Sequence, residues 1–121
     1  MLRYIVWVLH VELGALMIRM TVVGKVRPEK RGEFLDAMRS LQKERLTEPG
    51  NIGSQLYERS EDPTHFLIID EWEADKDLQG FFSKEGFRVL LGALRTLCTE
   101  SEIKYDPFRR EGGDVKLHGF D

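Results

Sequence analysis

The segment HFLIIDEWE, residues 65–73, decides the fold of this chain. It is dense in residues that favour β-strands. Its alternate positions on one face are apolar: Phe66, Ile68 and Trp72. The opposite face is also apolar, at Leu67 and Ile69. The segment therefore predicts a strand with apolar side chains on both faces.

A second strand precedes this segment in the sequence. NIGSQLYER, residues 51–59, has the composition of a strand, and EDPT, residues 61–64, has the aspartate and proline of a turn. Two strands joined by so short a connection form an antiparallel hairpin. The hairpin is entered through Glu48-Pro49-Gly50, which ends the preceding element because a residue before proline is pushed out of helical geometry.

The chain before Glu48 predicts a strand and a helix. Apolar and polar residues alternate from Met17 to Val26, which is the period of a strand. Pro28 ends this strand and opens a helix, since proline is favoured in a first turn. One stripe of that helix is apolar at helical spacing: Phe34, Ala37, Met38 and Leu41. The helix therefore packs one face against a sheet.

The chain after the EWE motif predicts two helical segments and a last strand. The first helix is short and runs through Leu78 to Phe82, and Ser83 is placed to cap the next one. The second helix has apolar residues at helical spacing: Phe87, Leu90, Leu91, Leu94 and Cys98. Residues 101–105, SEIKY, complete the pattern as a strand.

The element order is strand, helix, strand, strand, helix, strand. This order predicts an α+β fold of the ferredoxin-like, split βαβ type, with four antiparallel strands and the helices on one face. The apolar residues Leu67 and Ile69 then lie on the face without helices. Because an uncovered apolar sheet is normally buried against another surface, we expect a homodimer with the two sheets face to face.

Composition limits the remaining possibilities. The 121 residues suffice for one domain, and 18 basic against 21 acidic residues give a net charge of -3. No run of lysine or arginine is present, so we expect neither nucleic acid nor an anionic membrane as a partner. The single cysteine, Cys98, has no partner for a disulfide, which favours a cytoplasmic location.

The amino terminus has an apolar run from Tyr4 to Leu9 that is too short for a membrane helix, since His10 and Glu12 follow it. No cleavage pattern of an export signal follows. We expect residues 1–16 to form an extension, residues 17–107 the folded domain and residues 108–121 a tail.

Several motifs occur in a recognisable order: the E-P-G segment, Tyr57 in the strand that follows, the E-D-P turn, and D-E-W-E at residues 70–73. Together they resemble the antibiotic biosynthesis monooxygenase family, dimeric α/β-barrel proteins that include quinol and anthrone monooxygenases. The resemblance implies a pocket between sheet and helices where an electron-rich aromatic reacts with molecular oxygen. It implies no metal, flavin or other cofactor.

The sequence also departs from that family. Many members have a histidine in the short helix after E-W-E, whereas LQGFFSKEGF, residues 78–87, contains none. The haem-degrading branch combines asparagine, tryptophan and histidine, of which only Trp72 is matched. Haem degradation is therefore disfavoured. His10, His65 and His118 form no pair with the spacing of metal ligands, which argues against a metal site.

The resemblance and the strand alternation together nominate catalytic candidates: Trp72, Asp70, Tyr57 and Tyr105. Trp72 matches the tryptophan of E-W-E and either stacks on a planar substrate or is a core aromatic. Asp70 shares its strand face and is either a base whose pKa is raised by desolvation or a carboxylate that is paired with an arginine or solvated. The two tyrosines donate hydrogen bonds to a phenolate or to backbone carbonyls.

Apolar residues are predicted to line the pocket: Phe66, Ile68, Phe81, Phe82 and Phe87. The predicted function is a cofactor-independent monooxygenase that oxidises a small quinol-like or phenolic substrate with molecular oxygen. The alternative is a dimeric protein of the same fold that binds a small ligand or regulates without catalysis. The missing histidines and the abundance of phenylalanine favour this alternative.

Overall fold

A computed structural model describes residues 16–109. Residues 1–15 of the predicted amino-terminal extension and residues 110–121 of the predicted tail lie outside this range. The described elements follow in chain order: β1 (Leu16–Val26), a 3-10 turn (Pro28–Lys30), α1 (Arg31–Leu46), β2 (Asn51–Arg59), β3 (Asp62–Trp72), α2 (Asp75–Phe82), α3 (Glu85–Leu97) and β4 (Cys98–Arg109).

The four strands form one antiparallel sheet in the order β2-β3-β1-β4. The predicted α+β, ferredoxin-like fold is confirmed. Within the described residues, no helix is long and apolar enough to cross a lipid bilayer.

The core lies between the sheet and the helices. Alternate residues of β1 and β3 point into it and are buried: Ile18, Met20, Val22, Val26, Phe66, Ile68, Asp70 and Trp72. The predicted stripe of α1 meets them through Phe34, Met38 and Leu41, all buried. Burial of this stripe stabilises α1, because most of the stability of a helix in a protein comes from packing of its apolar face.

The intervening residues of the strands face away from the helices. Val23 of β1, Leu67 of β3 and Tyr57 of β2 are neighbours across three strands, and none of them is fully buried. Ile69 shares this face and is half-buried. We call this side of the sheet the open face.

Several element boundaries differ from the sequence prediction. The β2–β3 turn is tighter than predicted, because Asp62 already pairs with Arg59 and begins β3. The Asp62 carboxylate accepts hydrogen bonds from the Thr64 amide and hydroxyl at 3.0 and 2.6 Å, which holds Pro63 within the strand. Strand β4 also extends beyond the predicted residues 101–105 at both ends.

Candidate functional site

The helix-side face of β3 carries a carboxylate and an indole at neighbouring inward positions. Asp70 and Trp72 are both fully buried. Their shared face follows from strand alternation, as the sequence indicated. A buried carboxylate requires hydrogen bonds or an opposite charge, so the surroundings of Asp70 determine what it can do.

Asp70 is neutralised by Arg45, which reaches it from the last turn of α1. Arg45 Nε lies 2.7 Å from Asp70 Oδ2, and both side chains are buried. Ser54 Oγ donates to Asp70 Oδ1 at 2.6 Å, and Asn51 Nδ2 donates to Asp70 Oδ2 at 3.2 Å. Of the alternatives that the sequence left open for Asp70, the structure shows the ion pair with an arginine. Its oxygens accept hydrogen bonds from three side chains, Arg45, Asn51 and Ser54.

The network continues from Ser54 to Gln42. Gln42 Nε2 donates to the Ser54 carbonyl oxygen at 3.0 Å, and Arg45 Nη2 lies 3.3 Å from Ser54 Oγ. These contacts tie the carboxyl-terminal half of α1 to β2. We call Arg45, Asn51, Ser54 and Asp70 the polar cluster.

Three buried polar atoms in and beside the polar cluster remain unused. Arg45 Nη1, Asn51 Oδ1 and Trp72 Nε1 have no hydrogen-bond partner among residues 16–109. Buried polar groups in proteins are normally paired with protein atoms or ordered water. The site therefore offers two N–H donors and one carbonyl acceptor to a further group.

A row of aromatic rings runs from Trp72 toward the surface. The indole stacks on Phe81 of α2, with ring centroids 5.3 Å apart, and Phe81 meets Phe87 of α3 at 5.6 Å. Phe87 contacts Phe82 at 4.7 Å, and Phe82 contacts Tyr105 at 5.4 Å. The row passes from a fully buried ring to Tyr105, which is 49% exposed. It forms an apolar wall that leads outward from the indole.

Two predicted lining residues belong to the core rather than to this row. Phe66 is buried against Phe34 of α1, with centroids 5.0 Å apart, and Ile68 is buried beside it. They lie on the same sheet face as Trp72. Among residues 16–109, no ring contact joins Phe66 to the row from Trp72 to Tyr105.

Tyr57 does not join Asp70 and Trp72. It pairs with Leu67 across the β2–β3 ladder and lies on the open face, where it is 49% exposed. Tyr57, His65 and Leu67 border a shallow depression of about 410 Å³ on that side. Of the two tyrosines nominated as hydrogen-bond donors to a phenolate, only Tyr105 lies on the helix side, where its ring contacts Phe82.

The E-P-G segment positions α2 against the sheet. Gly50 has a φ of 83°, a left-handed conformation that glycine adopts without strain. Its carbonyl accepts a hydrogen bond from the Glu73 amide at 2.7 Å, and a Cβ at this position would overlap the Asp77 side chain. The turn therefore fixes the end of β3 and the start of α2, which carries Phe81.

Sequence reasoning missed Arg45 and its partners Asn51 and Ser54. One signal for Arg45 was present: it follows Leu41 by four residues and so continues the apolar stripe of α1. A charge on a buried stripe requires a buried partner. Asn51 and Ser54 gave no such signal, because small polar residues are common at a strand entrance.

The described residues also contain no group of three or more His, Cys, Asp or Glu side chains arranged to hold a metal ion. Cys98 is buried at the α3–β4 junction, where desolvation raises the pKa of its thiol above the usual value.

The fold and the site together define a small α+β domain of the ferredoxin-like class, with a buried tryptophan and an aromatic wall on its helix side. A family model described as antibiotic biosynthesis monooxygenase matches residues 17–91. The chain belongs to the antibiotic biosynthesis monooxygenase family.

Individual relatives agree with this assignment. The protein YcnE of Bacillus subtilis (strain 168) is 31% identical, and the matched region covers 69% of this chain and 97% of YcnE. A conserved protein from Methanosarcina mazei Go1 superposes with a TM-score of 0.70 at 26% identity, covering 84% of this chain and 99% of that one. SnoaB of Streptomyces nogalater, described as a cofactor-independent oxygenase, has the same fold, with a TM-score of 0.72 at 18% identity over 81% of this chain and 98% of SnoaB.

Proposed function

We propose that this protein is a cofactor-independent monooxygenase that oxidises a small quinol-like or phenolic aromatic with molecular oxygen. Membership of the antibiotic biosynthesis monooxygenase family carries the proposal. The row of rings from Trp72 to Tyr105 supports it, because an apolar wall with few polar groups suits a planar aromatic ligand. We place the reaction in the cytoplasm, consistent with one buried thiol and no disulfide partner.

The chemistry requires a substrate that supplies its own electrons. A deprotonated quinol transfers an electron to oxygen, and the two radicals then combine to form a new carbon–oxygen bond. One oxygen atom stays on the ring, the other leaves as water with two hydrogens from the substrate, and the quinol becomes a hydroxyquinone. The protein has to exclude water, hold the phenolic oxygen and keep the reactants together.

The residues divide these tasks. Trp72 provides a ring for stacking, and Phe81, Phe82 and Phe87 exclude water along the wall. Tyr105 has its ring against Phe82 and offers its hydroxyl to a second oxygen substituent of the substrate near the surface. Asp70 holds the Arg45 guanidinium beside β3, the strand that carries Trp72. It therefore acts as a positioning residue and not as the base.

The proposed functional unit is a homodimer. The open face has half-buried apolar side chains at Val23, Leu67 and Ile69, and the helices pack on the opposite side of the sheet. A second copy of the same sheet is the simplest cover for such a surface.

Oxygen uptake with a panel of quinols and naphthols tests the catalytic proposal. We expect uptake above the rate of autoxidation, with a loss of about tenfold or more in Trp72→Phe or Phe81→Ala. Arg88→Gln, at an exposed position on α3, is the matched control and retains full uptake. Uptake that never exceeds autoxidation for any member of the panel contradicts the proposal.

One observation favours a second function, the binding of a small ligand without catalysis. Trp72 is fully buried and its indole is already stacked on Phe81, whereas Phe82 and Phe87 further along the row are only half-buried, so a ligand can bind at the outer rings without reaching the indole. In that case small aromatics raise the melting temperature without oxygen uptake, whereas a site that is packed solid gives no thermal shift. The two measurements together separate catalysis, binding alone and a closed interior.

A further inference from the structure

We infer that Arg45, Asn51 and Trp72 form a subsite for a hydroxyl group of the aromatic ligand. The inference rests on the proposed function, because it concerns the same ligand site. Arg45 Nη1, Trp72 Nε1 and Asn51 Oδ1 are buried and have no partner within residues 16–109. Arg45 and Trp72 are 2% and 0% exposed, so bulk water does not satisfy these groups.

The three side chains are neighbours. Arg45 Nε and Asn51 Nδ2 both donate to the same oxygen, Asp70 Oδ2, at 2.7 and 3.2 Å. Trp72 follows Asp70 at the next inward position of β3, and it lies opposite Asn51 in the β2–β3 register. The three side chains that carry the unused atoms therefore all lie at the carboxyl-terminal end of β3, at the inner end of the aromatic row.

The chemistry of the unused atoms matches a hydroxyl. A hydroxyl oxygen accepts two hydrogen bonds and donates one, and the patch supplies two N–H donors and one carbonyl acceptor. An ether oxygen cannot donate to Asn51 Oδ1. A carboxylate also lacks the donor, and it would add a charge to a cluster in which Asp70 already balances Arg45.

Access to the subsite requires side chains to move, since the three atoms are shielded from solvent. The half-buried rings of Phe82 and Phe87 lie between Phe81 and the surface and are the side chains to be displaced. Unpaired buried polar groups destabilise the closed state, and a bound hydroxyl restores their hydrogen bonds. A ligand with a hydroxyl therefore gains affinity that its ether analogue does not.

The test compares 1-naphthol with 1-methoxynaphthalene, under argon so that no oxidation occurs. Calorimetry gives the two dissociation constants, and nitrogen–proton spectra follow the indole N–H of Trp72, assigned with Trp7→Phe. We expect 1-naphthol to bind about tenfold tighter or more, because a site built to hydrogen-bond a hydroxyl rejects the analogue lacking it. We also expect it to shift the Trp72 N–H resonance more than the ether does.

Two variants remove donors without leaving an unpaired charge. Trp72→Phe keeps an aromatic ring against Phe81 and deletes the indole N–H donor. Arg45→Met combined with Asp70→Leu removes both members of the ion pair. In each variant, we expect the ratio of the dissociation constants of the ether and 1-naphthol to fall toward one. The dissociation constant of the ether itself should change by about twofold or less. Phe82→Leu is the matched control: it weakens both ligands in the same proportion.

Equal affinity of the wild type for the two ligands, or no binding of either, overturns the inference. An undiminished preference in folded Trp72→Phe overturns it too, even where the double variant fails to fold. The result is independent of the proposed function, because binding is measured without oxygen. If the wild type takes up oxygen but both variants keep the preference for 1-naphthol over the ether, only the subsite is refuted. If the variants lose that preference but neither they nor the wild type takes up oxygen, only the catalytic proposal is refuted.

Discussion

The ion pair between Arg45 and Asp70 lies where water does not reach, so each charge depends on the other for its stabilisation. Removing one member of a buried pair leaves the other without compensation, and this costs more than the pair contributes. Ser54 and Asn51 hydrogen-bond to Asp70 but bring no positive charge. Arg45 is therefore the residue on which the polar cluster depends.

We expect Arg45→Met to lower the free energy of unfolding by about 3–5 kcal/mol. Arg45→Met combined with Asp70→Leu should recover most of that loss, since no unpaired charge remains. Urea unfolding at neutral pH measures both variants. Arg88→Met is the control, because its pair with Glu85 is exposed on both sides and contributes less than about 1 kcal/mol. A single variant as stable as the double variant contradicts this interpretation.

The shared face of Asp70 and Trp72 could be predicted from the sequence, because strand alternation requires only the period of the side chains. The position of Tyr57 could not. Whether Tyr57 faces the helices depends on the β2–β3 register, which pairs it with Leu67. A shift of one residue would reverse its side, and nothing within β2 alone fixes that register. The pairing of Arg45 with Asp70 likewise depends on how α1 packs on the sheet.

The buried thiol of Cys98 gives a prediction about alkaline pH. Desolvation raises the pKa of Cys98 in the folded chain above its value in the unfolded chain. As the pH rises, the unfolded chain loses this proton first, so the folded state loses stability between the two pKa values. Cys98→Ala should reduce the decline in stability above neutral pH, as measured by urea unfolding at a series of pH values.

Chemical labelling gives an independent check on Cys98. We expect iodoacetamide at mildly alkaline pH to modify the urea-unfolded chain rapidly and the native chain slowly, because the thiolate is the reactive form. Cys98 is the only cysteine in the sequence, so the labelled fraction reports this site alone. Equal labelling rates in the two states would show that the thiol is accessible and would contradict its burial.

At the scale of elements, the E-P-G turn joins three of them: it follows α1, enters β2 and contacts the start of α2. The joint depends on Gly50, whose φ of 83° disfavours other residues and whose absent Cβ leaves room for Asp77. Glu48 adds a salt bridge to Lys84, which lies between α2 and α3. The turn thus sets where α2 places Phe81 relative to Trp72.

We expect Gly50→Ala to destabilise the protein by about 2 kcal/mol or more, through the left-handed backbone and the overlap with Asp77. Gly32→Ala is the matched control: Gly32 lies in α1 with no atom near its absent Cβ, so alanine there stabilises by about 0.5–1 kcal/mol. Thermal unfolding followed by circular dichroism compares them. A neutral effect at Gly50 would show that α2 shifts freely to admit a Cβ.

The order and type of the elements could be predicted, but several of their boundaries could not. Strand β4 runs to Arg109 because its ladder with β1 continues that far, although its own side chains are mostly exposed and show little alternation. Pro107 sits within it because β4 is an edge strand, where a missing N–H donor is tolerated. Ser83 was expected to begin a helix but instead donates back to the Gly80 carbonyl at the end of α2.

At the scale of the whole molecule, the open face is the surface without an assigned cover. Leu67 lies at its centre, between Val23 and Tyr57, on a central strand of the sheet. Charged residues surround this apolar strip: Arg19 and Glu71, which pair with each other at 3.0 Å, lie toward one end, and Lys25 toward the other. An apolar centre with a polar rim is the usual anatomy of a protein–protein interface.

We expect Leu67→Glu to convert the proposed homodimer into monomers, because burial of the new carboxylate against a second sheet costs more than the contact provides. Leu46→Glu is the matched control: Leu46 is 47% exposed at the end of α1, on the helix side, and the same change there leaves the dimer intact. Sedimentation equilibrium over a range of micromolar concentrations measures both, with circular dichroism to show that each variant is folded. A wild-type protein that is monomeric throughout that range refutes the dimer. A Leu67→Glu variant that is folded and still dimeric shows that the interface does not include Leu67.

Tyr57 provides a second measurement of the dimer, because Tyr57 and Leu67 are neighbours on the open face. Loss of the dimer should expose the Tyr57 ring further, so the rate of nitration of Tyr57 should increase with the fraction of monomer.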